Sequence, residues 1–170
     1  MTLRRLRGSS ALKPDPEAPE PRDLEGARLA ALRWLAGRDF AAADLRARLE
    51  ARGFAAPAVR TVVEELVASG ALNETRFAEN YVTWHAGRGQ GPVRIAADLR
   101  RLGIPAPLIE AAIAAGPDWA SLARRICQGK FGAQVPDSWP EKARRMRFLQ
   151  YRGFSADHVR AATGADPDTD

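Results

Sequence analysis

Cysteine is nearly absent from this chain. Cys127 stands alone, which excludes an internal disulfide and any cysteine-cluster metal site. A reducing cytoplasm is the natural setting for such a sequence. Histidine is as scarce: His85 and His158 lie far apart, with no Cys or second His at ligand spacing, so no metal is expected. No segment reaches the roughly 18 uninterrupted apolar residues of a membrane span. The start, Met1 to Arg7, is basic and runs into a proline-rich stretch without an apolar core segment, so no secretory signal is expected there. A phosphate loop is missing too. Gly87-Arg88-Gly89-Gln90-Gly91 lacks the Gly-Lys-Ser/Thr ending and a preceding strand, and reads as a tight connection between helices. Gly129-Lys130-Phe131 fails the same test. Glu64 and Glu65 are neighbours and point to different azimuths of a helix, which suits a solvated face rather than paired acid–base work. No catalytic residue, cofactor or metal is expected.

What is present is a globular balance, 45% apolar and 28% charged. The charge is basic: 26 Lys and Arg against 21 Asp and Glu. Between Trp119 and Gly153 eight basic residues (Arg124, Arg125, Lys130, Lys142, Arg144, Arg145, Arg147, Arg152) face only Asp137 and Glu141. A field of this kind suits an anionic partner. Residues 1–22, where Pro14, Pro16, Pro19 and Pro21 alternate with charges, read as a disordered tail. Residues 165–170 read as a short acidic tail.

From Leu24 onward β-branched alternation is missing, and Ala, Leu, Arg and Glu dominate, which favours helices. An internal repeat organises them. Gly53, Gly103 and Gly153 are fifty residues apart, within Leu49-x-x-Arg52-Gly53-Phe54, Leu99-x-x-Leu102-Gly103-Ile104 and Leu149-x-x-Arg152-Gly153-Phe154. The same offset aligns Val59, Ile109 and Val159, aligns Ala31, Tyr81 and Phe131, and pairs Trp34 with Trp84. Each glycine fits the left-handed stop that ends a helix, and the apolar residue after it folds back on the last turn. Pro57 and Pro107 fit the first turn of the helix that follows.

The expected fold is therefore all-α: three tandem three-helix repeats, over 24–70, 73–116 and 117–164, stacked into an elongated, curved array. Helices are expected over about 24–37, 41–52 and 56–69, then 74–86, 91–102 and 106–115, then 118–131, 139–152 and 156–163. Asn73, Asp118 and Ser155 are expected N-caps, and Ser138-Trp139-Pro140-Glu141 has capping-box spacing. Core positions are expected at Val59, Val62, Val63 and Leu66, at Phe77, Tyr81 and Trp84, and at Ile95, Leu99 and Leu102. Trp34 shares the core expectation with Trp84. Cys127 reads as a small buried hydrophobe. Trp139 opens a helix beside the basic stretch.

The helix over 139–152 is not cleanly two-faced. The repeat places Arg145 where Leu45 and Ile95 serve as core, and Phe148 where Arg48 and Asp98 face out. Lys142, Arg144, Arg145, Arg147, Phe148 and Arg152 are thus contact candidates. Arg88, Arg94 and Arg101 join them from the second unit, Arg94 and Arg101 being seven apart on one stripe.

The second unit, Gly70-Ala-Leu-Asn73-Glu-Thr-Arg76-Phe77-Ala78-x-x-Tyr81 followed by Gly89-Gln-Gly91-Pro92-x-Arg94-Ile95-x-x-x-Leu99-x-x-x-Gly103-Ile104, resembles the central repeat of the RecX family. Arg147-Phe148-Leu149-x-x-Arg152-Gly153-Phe154-Ser155 is similar to that family's C-terminal repeat, and Leu45-x-x-x-Leu49-x-x-x-Gly53-Phe54 is a weaker match to the first. The resemblance spans about 24–163. Its departures are local: Ala41 replaces a frequent serine cap, for which Asp39 or Asp44 substitutes; Glu74 replaces an aspartate; Asp98 replaces a glutamate; His85 stands where a basic residue is frequent. The resemblance implies a cytoplasmic, non-enzymatic regulator of DNA repair and recombination. It would bind the RecA filament on single-stranded DNA, restraining RecA's ATPase, strand exchange and coprotease activity, with DNA itself as a further partner and the chain a monomer. Two other classes stay open. Three-helix units also suit a helix-turn-helix transcriptional regulator, although the third helices of units one and two (Val59–Ala68, Leu108–Ala115) are apolar or acidic. A scaffold that binds only proteins is the other.

Overall fold

The structure, a computed structural model, describes residues 21–164. Both expected tails thus lie outside the described residues, except that Pro21 and Arg22 open the first helix. Nine helices and no strand occur among the described residues. They are α1 (Pro21–Leu35), α2 (Ala42–Ala51) and α3 (Ala56–Ala68), then α4 (Glu74–Gly87), α5 (Pro92–Arg101) and α6 (Ala106–Ala114), then α7 (Trp119–Phe131), α8 (Trp139–Arg152) and α9 (Ala156–Thr163).

Local chemistry sets these boundaries. The Asn73 side chain accepts from the Arg76 amide at 2.9 Å, and Asp118 accepts from the Ser121 amide at 3.0 Å. Ser155 and His158 close a reciprocal capping box. The second helix of each unit ends in the same double bond. The Gly53, Gly103 and Gly153 amides donate to Glu50, Arg100 and Gln150, and the next amides reach back to Leu49, Leu99 and Leu149. This closure needs a positive φ at the glycine, which is +95°, +80° and +88° in turn.

Two expected caps are absent. Ser138 makes no cap bond to α8. Pro140 removes one of the two amides a cap could reach, and Glu141 is committed to Arg145 at 2.9 Å. Neither Asp39 nor Asp44 caps α2. Asp44 binds Arg48, and Asp39 binds Arg76 and Asn80. The Glu74 carboxylate, from the next unit, accepts the Ala42 amide at 2.9 Å instead.

The apolar side chains close two cores. Unit one buries Phe40, Leu45, Leu49, Val59, Val62 and Leu66 together. Units two and three share one core, in which Val82, Ile95, Leu99 and Ile109 meet Leu122, Cys127, Leu149 and Val159. The joint between them is built from backbone. The Gly91 amide donates to the Arg152 carbonyl at 2.8 Å, and the Val93 amide to the Gly153 carbonyl at 3.0 Å. The unpaired amides that open α5 are thus met by the carbonyls that end α8. The joint between units one and two is more polar, with Asp39 on Arg76 at 2.6 Å and Glu74 on α2.

Candidate partner interface

The cores leave one chemically distinctive surface across units two and three. In α4 the buried stripe is Ala78, Val82 and Ala86. These small residues let α6 pack closely, so the larger rings occupy the flank. Phe77 and Tyr81 are half-buried, and Trp84, expected in the core, is 55% exposed. Its repeat-mate Trp34 is half-buried, with the Arg52 guanidinium 5.8 Å from its ring.

Arginines stand beside these rings. The Arg88 guanidinium lies 3.3 Å from the Trp84 ring centroid, close enough for a strong cation–π contact. Tyr81 stacks on His85 with centroids 4.0 Å apart and planes 22° from parallel. Burial pushes the Tyr81 phenol up from its usual range, while the charges of Arg101 and Arg94 pull it the other way. Burial likewise pushes the His85 imidazole below its ordinary value. The Gln90 bond opposes that shift, and Arg88 and Arg94 add to it.

Unit three keeps an aromatic and an arginine at two of these positions, while Trp84, His85 and Arg88 give way to Gln134, Val135 and Ser138. Phe131, the repeat-mate of Tyr81, meets Phe148 edge-on at 5.3 Å. Arg144, the repeat-mate of Arg94, places its guanidinium 5.5 Å from the Phe131 ring. Arg152 joins the two halves. Its Nη1 donates to the Arg88 carbonyl at 3.1 Å, and its guanidinium lies 5.3 Å from the Phe148 ring.

The structure leaves most of the sequence candidates at or near the surface. Arg88, Arg94, Arg101, Arg144 and Arg147 are exposed, and Lys142, Phe148 and Arg152 are half-buried. Arg101 is tied to Asp98. Arg145 leaves the set. It is buried, donating to the Gln134 carbonyl at 2.7 Å and to Glu141, so it supports the 132–138 loop instead of facing a partner. Its repeat position, shared with Leu45 and Ile95, already marked it as inward. Tyr81 packs against the core as expected, whereas Trp84, expected beside it, is exposed. The signal for that exposure was there in the four-residue step Trp84 to Arg88.

Such a face has no paired acid and base, and among the described residues no group of His, Cys, Asp and Glu could hold a metal. No helix there is long and apolar enough to cross a membrane. The fold defines a helical-repeat protein, and this face is rich in arginine and aromatic side chains. Comparison with known proteins gives the family. Residues 73–113 match the RecX second three-helix domain and residues 118–163 the RecX third three-helix domain. Regulatory protein RecX of Halorhodospira halophila is 44% identical over 147 residues, 86% of this chain and 91% of that protein. Its counterpart in Xanthomonas axonopodis pv. citri is 36% identical over 137 residues, 80% of this chain and 85% of that protein. The crystal structure of RecX from Lactobacillus salivarius superposes with a TM-score of 0.73 at 19% identity, covering 84% of this chain and 96% of that one. The chain belongs to the RecX family.

Proposed function

We propose that this chain regulates RecA by lying along the RecA–DNA filament in the cytoplasm, as a monomeric binding protein without a reaction of its own. The observation that carries this reading is the recurrence of an aromatic residue and an arginine at the same positions fifty residues apart. Tyr81 with Arg94, and Phe131 with Arg144, occupy the same positions of successive units. A ligand that repeats along its length suits a partner that repeats along its own, as a filament does. The regulatory names of the relatives agree with that reading.

The contact residues are Arg88, Arg94, Arg101, Lys142, Arg144, Arg147, Phe148 and Arg152. The effect on RecA is a difference in affinity between filament states, which is how a bound partner shifts an equilibrium. The transcriptional-regulator reading is weaker. In units one and two the third helices are poorly suited to it: α3 carries one arginine, Arg60, against Glu64 and Glu65, and α6 carries Glu110 and no basic residue, a poor match to phosphate-lined grooves. Titration into RecA's DNA-dependent ATPase tests the proposal. The rate falls at ratios near or below one chain per RecA protomer, and the chain alone hydrolyses no ATP. An ATPase that stays constant over a wide titration overturns it.

A further inference from the structure

A groove lies where unit one meets unit two. Arg38 and Asp39 border it on one side, and Phe77, Asn80, Tyr81, Trp84 and His85 of α4 on the other. Its volume is about 540 Å³, within the range of small-ligand sites. The rings follow one another along α4. Phe77 and Tyr81 have centroids 5.8 Å apart, Tyr81 and His85 4.0 Å, and His85 and Trp84 4.5 Å. α4 meets the core through Ala78, Val82 and Ala86, with Phe77 and Tyr81 packed against it, so the exposed indole at the end of the ladder is not part of that packing.

Cations outnumber carboxylates around the groove, and one of them, Arg101, is paired with Asp98. Arg38 and Arg88 are exposed beside it, and Arg94 and Arg101 act on Tyr81 from α5. The carboxylate that lines it, Asp39, is neutralised by Arg76 and also accepts from Asn80 at 2.9 Å. The Arg88 guanidinium sits 3.3 Å from the indole centroid, and a guanidinium placed over a ring can still donate its N–H groups to a phosphate.

We infer that this groove is a stacking site for an unpaired base of single-stranded DNA, with its phosphates held by Arg38, Arg88, Arg94 and Arg101. Flat rings interleaved with arginines are the recurrent chemistry of single-strand binding. A duplex keeps its bases inside the stack and cannot use the rings. An acidic peptide would use the arginines and leave Trp84 idle. The inference rests on the filament reading, since it says which component of the filament this groove takes. It is tested on bare DNA so that each can fail alone.

The probe is a 15-nucleotide oligodeoxythymidylate titrated at low salt, read by tryptophan fluorescence and by anisotropy of a labelled strand. Wild-type fluorescence is quenched on binding. Trp84→Leu, which keeps apolar bulk without the ring, loses most of the quench and binds roughly 5- to 150-fold more weakly. Arg94→Ala with Arg101→Ala lowers the salt slope by about 0.7 for each phosphate no longer held. Circular dichroism confirms that both variants are folded, and Trp84→Phe, which restores a ring, recovers part of the affinity. Wild-type affinity in a folded Trp84→Leu, equal binding of a duplex of the same length, tighter binding of polyglutamate, or no binding of the oligonucleotide overturns the inference. RecA inhibition that persists in any of those cases leaves the filament reading standing, while oligonucleotide binding without RecA inhibition contradicts that reading alone.

Discussion

Gly91 approaches Gly153 so closely that a methyl group on Gly91 would stand 2.3 Å from the Gly153 carbonyl. Gly91 has an ordinary φ of −86°, so its lack of a side chain serves this contact alone. Gly153 serves two purposes. Its φ is +88°, and a Cβ there would lie 2.3 Å from the Arg94 Cβ. The two glycines let the end of α8 cap the start of α5, and so fix the angle between units two and three.

Gly91→Ala is therefore a test of the joint without a backbone-conformation penalty. It should destabilise the protein by about 1–3 kcal/mol, the usual cost of overpacking, and lower Tm by several degrees. A thermal melt that matches wild type would show that the units can separate at this point without loss.

Arg145 and its neighbours on α8 should separate stability from binding. Arg145→Ala strips the Gln134 carbonyl and Glu141 of a charged donor. The expected loss is about 1.5–3 kcal/mol in a urea titration. Arg144→Ala with Arg147→Ala removes exposed groups and should leave the urea midpoint unchanged. The reverse pattern would mean that the inward and outward positions have been exchanged.

Glu74 caps a helix that is not its own. Glu74→Ala leaves the Ala42 amide without a partner, and loss of a cap costs about 1 kcal/mol. Hydrogen exchange should show the first turn of α2 less protected, with the amides of α5 and α8 unaffected. Uniform change across all three helices would contradict a local cap.

The histidines predict a pH dependence. Burial holds both His85 and His158 below the ordinary value of about 6.5. The unfolded chain then binds protons before the folded one does, so stability is lost as pH falls below about 6.5 toward the folded values. Asp39 acts in a lower window. The Arg76 bond lowers its pKa, so its contribution is present above about pH 4 and is lost as pH falls through the lowered value. Urea midpoints measured from pH 7.5 to 5 should decline, and His85→Gln with His158→Gln should flatten the decline. A flat wild-type profile over that range would rule the histidines out.

Much of the fold was legible because its punctuation is local. Gly53, Gly103 and Gly153, the prolines of the third helices, and Asn73, Asp118 and Ser155 each act within a turn of their own position. Most helix boundaries fall within a residue or two of those expected from that chemistry, and Cys127 is buried as its repeat position implied. What was not legible depends on distant partners. Glu74 reaches α2 from 32 residues away, and Gly91 meets Gly153 across two units. Trp84 has the spacing of a core residue and became exposed because Ala78, Val82 and Ala86 took the inner face. Ser138 has cap spacing, but Pro140 removes one of the two amides it could reach and the Glu141 carboxylate turns to Arg145 instead.

Binding to RecA filaments formed on single-stranded DNA, measured over a salt series, tests the central proposal most directly. Wild type should bind, and salt should weaken it. Arg144→Ala with Arg147→Ala should bind more weakly with a shallower salt dependence while remaining folded, and Arg94→Ala with Arg101→Ala should show a smaller effect of the same kind. If the Arg144/Arg147 double variant is folded and keeps both wild-type affinity and wild-type slope, this face is only solvated and does not meet the filament.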